Sequence, residues 1–471
     1  MRKGALYCQV FEHFKDDIVQ GRILPGEKLP SVRICSENLG VSKNTVLQAY
    51  ARLEERGYIT SREKHGHFVN ASYNETPVPF IKVNQVKVEQ LKVTDVVQWT
   101  LDALSDKDIV NVSAAVPDPQ LLPTSFITRS LKKYASHLDE YSDPRGEILL
   151  REAIVRRYRE RDGRWDADDV VITSGALEAI HIALSSLCQR GDTVLIEDPT
   201  YYMYFKLLRS LGLNALAVSS HANDGISISE VERALKKEKI AAILVQPNFS
   251  NPLGSVMPDE AKKRLIEISR KAKVPLIQDD INGELGFDGK RKMSLLNHPD
   301  SDHVIYVSSF SKSFSPGARV GWIVSRKQAE LFKQAKSRLS VCQNVPVQLA
   351  MAEFITKGSP ERYLKKMRRE LSKRFLDYKQ FVQTHFPPGT TMTCPQGGFI
   401  FWVQLPDNYD AMALARLTRE NGILLTAGPI FSAAQKFKSC LRFNFAFALS
   451  GKYLAALQKI AGLINEVKVE R

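Results

Sequence analysis

From about Asp95 onward, short apolar runs alternate with amphipathic stretches of helical period, and this rhythm restricts the fold more than any other feature of the chain. Residues 170–173, 193–197, 241–246, 275–279, 303–308 and 321–324 have the length and composition of buried strands. Between them, residues 178–187 and 259–271 repeat apolar positions at helical spacing. Such alternation predicts an α/β domain, a parallel or mixed sheet flanked by helices. Past Pro346 the pattern turns helix-rich. Residues 399–404 and 440–446 then predict strands of a smaller C-terminal lobe.

The first seventy residues follow another pattern. Leu6, Val10, Phe11, Phe14 and Ile18 form a helical stripe that stops at Gly21. A turn-rich stretch, Leu24-Pro-Gly-Glu-Lys-Leu-Pro-Ser-Val-Arg33, leads to a second helix through Leu39, with Gly40 at the turn. Ser42 is the expected N-cap of a third helix over residues 43–56, whose inner stripe is read as Val46, Leu47, Tyr50 and Leu53. Residues 58–62 and 67–69 predict a small wing around residues 63–66. Two helices meeting at a glycine, the second opening on polar residues, predict a winged helix-turn-helix of α+β class. Such a helix offers its N-terminal residues to the major groove. Ser42, Lys43, Asn44 and Thr45 have side chains suited to phosphates and base edges. Residues 71–94, with Pro77 and Pro79 ahead of loosely alternating Val and Lys, read as a linker. The expected division is therefore 1–70, a DNA-binding module; 71–94, a linker; and 95–471, a ligand-binding domain.

Bulk properties narrow the class. At 471 residues the chain exceeds a single ordinary domain. No apolar run approaches the roughly 18 residues of a membrane span, and the N-terminus lacks a signal-peptide core. The cysteines at 8, 35, 188, 342, 394 and 440 are scattered, with no C-x-x-C pair. That predicts reduced thiols and a cytoplasmic location. His65 and His67 lack a third ligand nearby, so no metal site is expected. The net charge is +14, but residues 1–70 hold 11 Lys+Arg against 8 Asp+Glu, so charge alone does not locate a DNA site.

The chemistry concentrates in Tyr306-Val-Ser-Ser-Phe-Ser-Lys-Ser-Phe-Ser-Pro-Gly-Ala-Arg319. An aldehyde cofactor with a phosphate tail needs such a set: Lys312 for a Schiff base, hydroxyls and Arg319 for the phosphate. Other candidates fall where strands end or helices begin, the edge at which open α/β sheets bind ligands. Ser174-Gly-Ala176 opens a helix, whose free N–H groups suit a phosphate. Tyr201 can stack on a planar ring. Asn251 offers an amide to a phenolic oxygen, and Asp279 offers a carboxylate to a pyridine nitrogen.

Two resemblances follow from these motifs. Residues 1–70 closely resemble the GntR-type winged helix through "LPGEKLPS-R", "LGVSKNTV" and "RGYI". That implies double-stranded operator DNA as partner and contacts from Arg33, Ser42, Lys43, Asn44, Thr45, His65 and Gly66. Residues 110–460 resemble fold-type I pyridoxal-phosphate aminotransferases. The resemblance makes Lys312 the internal-aldimine lysine and assigns the phosphate to Ser309, Ser311, Arg319 and the backbone of Gly175 and Ala176. It places Tyr201 on the ring, Asn251 on its hydroxyl and Asp279 on its nitrogen. Arg442 matches the arginine that clamps a substrate carboxylate. Tyr141 matches a tyrosine that reaches the phosphate across a homodimer interface. Ile281 and Asn282 stand where relatives often carry a tyrosine, and Ala115 where a glycine is expected.

Together the two parts resemble the MocR-type transcription regulators. The resemblance implies a DNA-binding regulator that uses pyridoxal phosphate and senses an amino compound or the cofactor itself, with little or no net transamination. Two rivals are an aminotransferase with an appended DNA module and a regulator whose large domain only dimerises. The intact Lys312, Asp279, Asn251 and Arg442 set counts against the second. The DNA module and the missing tyrosine count against the first.

Overall fold

The computed structural model describes residues 6–19, 23, 27–55, 58–62, 66–69, 98, 100, 102–103, 106, 108–159 and 165–469. The chain divides into two compact units, Met1–Pro77 and Val78–Arg471. The stretch expected as a linker, 71–94, lies outside the described residues, as does His65.

In the first unit, α1 (Leu6–Val19), α2 (Val32–Leu39) and α3 (Lys43–Glu55) precede a hairpin of β1 (Ile59–Arg62) and β2 (Gly66–Val69). Ser31 caps α2 by accepting from the Ile34 amide, and Gly40 ends it at φ 63°, a left-handed conformation that a side chain resists. Ser42 opens α3 by accepting from the Thr45 amide at 3.1 Å. The amides of Leu29 and Val69 bond to the carbonyls of His67 and Glu27, so the segment before α2 is laced to the wing. Val10, Phe11, Phe14, Ile18, Val46, Ala49, Tyr50 and Leu53 build the core.

Leu47 departs from the expected inner stripe: it is 50% exposed. Val46, Ala49, Tyr50 and Leu53 already make the i, i+3, i+4, i+7 face, and Leu47 lies one 100° step outside it. Leu6, at the helix end, is likewise exposed.

The second unit holds β3 (Val110–Asn111), then the strands of the main sheet: β4 (Val170–Thr173), β5 (Thr193–Asp198), β6 (Asn214–His221), β7 (Gly225–Ile226), β8 (Ile240–Val245), β9 (Leu276–Asp279), β10 (Val304–Ser309) and β11 (Gly321–Val324). Their spatial order is β4-β11-β10-β9-β8-β5-β6-β7. Neighbours from β10 through β6 pair in parallel, while β11 runs antiparallel to both β10 and β4. The sheet is thus mixed and buried on both faces, as crossover helices require. Ile196, Leu244, Ile277 and Val307 share one apolar cluster with residues of the helix Ala176–Leu187. Leu195, Ile243, Leu276 and Tyr306 share the other with the helix Asp259–Ala272. A smaller lobe carries β12 (Thr391–Met392), β13 (Ile400–Gln404), β15 (Thr426–Ala427) and β16 (Cys440–Asn444) in the order β12-β13-β16-β15. A short strand, β14 (Ile423–Leu424), pairs with β3.

This topology gathers the candidate residues. The parallel strands β4, β5, β8, β9 and β10 all end at one edge of the sheet. Because β11 is reversed, its beginning lies at that same edge, and Arg319 stands two residues before it.

Candidate functional site: a lysine, two arginines and a carboxylate at the sheet edge

Asp279, the last residue of β9, is buried and fully engaged. Its Oδ2 accepts from the Tyr204 hydroxyl at 2.5 Å and the Gln246 side-chain amide at 2.9 Å, and its Oδ1 from the Ile281 amide at 3.1 Å. Burial pushes its carboxyl above the usual range, while these hydrogen bonds pull it back. Behind it, burial raises Glu197 to about 8, against the pull of the Gln246 amide that it accepts.

Arg442, on β16, is buried under the rings of Phe431 and Tyr202. Its Nε donates to the Ser113 carbonyl at 3.0 Å and its Nη1 to Asn251 Oδ1 at 2.9 Å. Its Nη2 has no hydrogen-bond partner among the described residues. Asn251 is fixed in turn by its own amide, which donates to Gln246 Oε1 at 2.8 Å.

Lys312 is lowered to about 8, first by burial of its amine and then by Arg442; Asp279 pulls the other way, and Arg319 adds to the lowering. Its Nζ donates to the Ala115 carbonyl. The segment carrying Ala115 is stitched to β16: the Asn444 side-chain amide donates to the carbonyls of Ala114 and Val116, and the Ser113 hydroxyl to the carbonyl of Arg442.

The serines and Arg319 form a second corner. Ser309 Oγ bonds to Ser311 Oγ at 2.7 Å, Arg319 Nη1 to Ser311 Oγ at 3.3 Å, and Arg319 Nη2 to the Ser174 carbonyl at 2.8 Å. Gly175 is at φ 104°, and a Cβ there would stand 2.6 Å from Arg319 Nη2. A Cβ on Gly321 would press 2.5 Å from the Gly175 carbonyl carbon, so both glycines permit the close approach of β11 to the helix start at Ala176. Tyr201 lies edge-on to Tyr204, the ring that holds Asp279.

The structure therefore brings Gly175, Arg319, Ser309 and Ser311 into one corner, and Lys312, Asp279, Asn251, Tyr201 and Arg442 into the adjoining group. Tyr141 is not drawn into either group. It is 85% exposed and lines a surface cleft with Leu138, Cys342 and Gln343. Asn282, in place of the absent tyrosine, commits its amide nitrogen to the Phe249 carbonyl at 2.9 Å. In the first unit, Lys43 and Asn44 are exposed on α3, and Arg33 is exposed on α2 beside Glu37. The hydroxyls of Ser42 and Thr45 bond to each other at 2.8 Å. Gly66 opens β2 at φ 96°. Gln246, Tyr204, Ser113 and the Ala115 carbonyl were not anticipated. Gln246 could have been suspected from its place after β8. The carbonyl carries no mark in sequence.

A strand-end lysine, a buried carboxylate and a serine–arginine corner on this sheet define the class: the aminotransferase fold of fold type I. The aminotransferase class I and II family matches residues 107–460, and the bacterial gntR regulatory family matches residues 6–69. The chain belongs to the MocR-type regulators, in which a gntR-family helix-turn-helix domain precedes an aminotransferase class I and II domain. It is 34% identical to the uncharacterized HTH-type transcriptional regulator YjiR of Escherichia coli over 94% of this chain and 95% of that protein. It is 25% identical to the HTH-type transcriptional regulator NorG of Staphylococcus aureus over 93% of this chain and the whole of NorG. The crystal structure of Pyrococcus horikoshii kynurenine aminotransferase superposes with a TM-score of 0.72 at 25% identity, covering 80% of this chain and 95% of that one. That of LysN, the α-aminoadipate aminotransferase of Thermus thermophilus, gives the same TM-score at 24% identity over 80% of this chain and 96% of its own, and shares the fold. Among the described residues no helix is long and apolar enough to cross a membrane, and no cluster of His, Cys, Asp and Glu is arranged for a metal ion.

Proposed function

We propose that this regulator holds pyridoxal phosphate at Lys312 and uses the occupied site to sense a small amino compound, or the cofactor itself, while its winged helix holds an operator. The observation that carries this reading is the amine of Lys312, buried beside Asp279, Arg442 and Arg319 and donating to the Ala115 carbonyl, where burial first and Arg442 next lower its basicity. The surrounding residues fit the group chemically. Ser309, Ser311, Arg319 and the amides that open the helix at Ala176 supply donors for a phosphate. Asp279 would face a ring nitrogen, Asn251 a ring hydroxyl and Tyr201 the ring face. When bound, pyridoxal phosphate supplies a carbonyl that links covalently to amines and a ring that withdraws electrons.

The chain's own groups do the rest. Lys312, with its basicity lowered to about 8, becomes a neutral amine as the pH rises past that value. Asp279, fixed by three donors, would present its carboxylate to the ring nitrogen. Arg442 keeps Nη2 for an effector carboxylate. Asn282 supplies no phenol, which weighs against efficient turnover and for sensing. An aminotransferase that also binds DNA is the competing reading, and steady conversion of an amino acid and a keto acid at ordinary enzyme rates would favour it. Exposed Tyr141 fits a role in a second copy's site, so a homodimer is part of the proposal, as is a cytoplasmic location where the DNA lies.

Purified protein should show visible absorbance from lysine-bound pyridoxal phosphate, and Lys312→Ala should lose it. A variant that keeps the absorbance would remove Lys312 from its assigned role.

A further inference from the structure

The outward face of α3 carries a residue that the contacts above leave unexplained. Lys43, Asn44, Leu47, Gln48, Ala51 and Glu54 are exposed, and at helical steps they span an arc of about 140°; Glu54, in the last turn, accepts from the Ser61 amide of the wing. Leu47 lies inside that arc and is half exposed. It closes no core, since Val46, Ala49, Tyr50 and Leu53 do so. The first turn of α3 contains Lys43 and no acidic residue, and its free N–H groups add positive character. The N-terminal end of the face therefore complements a polyanion, yet it has an apolar side chain among its polar ones. The hydroxyls of Ser42 and Thr45 are turned to each other in the cap, which leaves base selection to the exposed four: Lys43, Asn44, Leu47 and Gln48.

On the floor of the DNA major groove, the apolar group is the thymine 5-methyl. We propose that Leu47 reads a thymine methyl, and that Gln48 beside it, whose amide matches adenine N6 and N7, makes α3 select A·T pairs at the positions it covers. This rests on the DNA-binding reading of the first unit and adds the base that it selects.

The test uses the full-length protein and a duplex library with a randomised core. Bound duplexes are enriched, and each thymine of the enriched sequence is then replaced singly by deoxyuridine, which deletes only the methyl group. At one thymine the replacement should weaken wild-type binding about fourfold, the cost of returning one methyl-sized group to water. Leu47→Ala should bind the thymine duplex about as weakly as the wild type binds the uracil one, in line with the same lost contact, and should ignore the replacement. Leu47 supports no core, so this variant should melt like the wild type. An enriched sequence with no methyl sensitivity at any thymine, or a Leu47→Ala protein that retains full affinity and methyl sensitivity, overturns the assignment while DNA binding stands; Leu47 is then a protein contact. No enrichment, with binding indifferent to salt, overturns the DNA-binding reading too, so the two failures are distinguishable.

Discussion

For single residues, the proposed chemistry of the large unit would turn on the proton of Lys312. A protonated amine does not attack a carbonyl. With its basicity lowered to about 8, the amine is protonated below that pH and increasingly neutral above it. Covalent uptake of added pyridoxal phosphate by cofactor-free protein should therefore speed up as pH rises and level off above about 8, measured by stopped-flow absorbance. Arg442 is the leading charged neighbour that lowers this value. Arg442→Gln should accordingly move the midpoint to higher pH, and Asp279→Asn should move it to lower pH. Gly175→Ala should weaken cofactor binding while the unit stays folded, because the new Cβ intrudes on Arg319; a fluorescence titration reads the loss. Lys312, Asp279 and Asn251 were legible in sequence because each sits at the end of a strand or in the loop that follows it, and the strands were clear. Gln246, just past β8, carried the same mark but no sign of its partner, and Tyr204 carried neither. Their roles depend on Asp279, brought to them by parallel pairing of β8 with β9 and by the fold of the β5–β6 crossover, and spacing along the chain carries no trace of it.

For elements, the winged helix depends on its caps. Ser31→Ala removes the acceptor for the Ile34 amide and should cost about 1 kcal/mol of stability in the first unit, seen as a lower denaturation midpoint. In the large unit, the stretch from Ser113 to Asp118 is tied down at both ends. Asp118 Oδ2 pairs with Arg374 Nη1 at 2.8 Å, and both are buried. Asp118→Ala strands that arginine and should cost about 3–5 kcal/mol, visible as a large fall in the thermal transition. Six strands of the main sheet were legible because their apolar runs are uninterrupted. β6 was not: Asn214-Ala-Leu-Ala-Val-Ser-Ser-His221 is rich in small and polar residues, and its burial comes from β5 alongside it. Leu47 misled in the opposite direction. An apolar residue next to a helical stripe reads as part of it, and only the packing of Val46 and Tyr50 shows that it points outward.

For the whole molecule, two units of different character share one chain. DNA affinity should fall steeply with salt, and Lys43→Ala should flatten that slope by about one unit, measured by titration at several salt concentrations. If Tyr141 completes a second copy's site, mixing Lys312→Ala and Tyr141→Phe protomers should yield hybrids with one site built from two wild-type contributions; half the cofactor content per hybrid, by absorbance, is the expected result. The donor groups of the large unit have a further consequence. Lys312 rests on the Ala115 carbonyl, and Arg442 on Ser113 and Asn251, so each cation has an acceptor supplied by its own chain. A ligand that takes the Lys312 amine must displace the Ala115 carbonyl, and what it gains there is only the difference, whereas Nη2 of Arg442 is open to a newcomer. If the site senses as proposed, that exchange would keep association reversible: the site would empty and refill as supply changes, and the readout would follow concentration instead of latching after a single encounter.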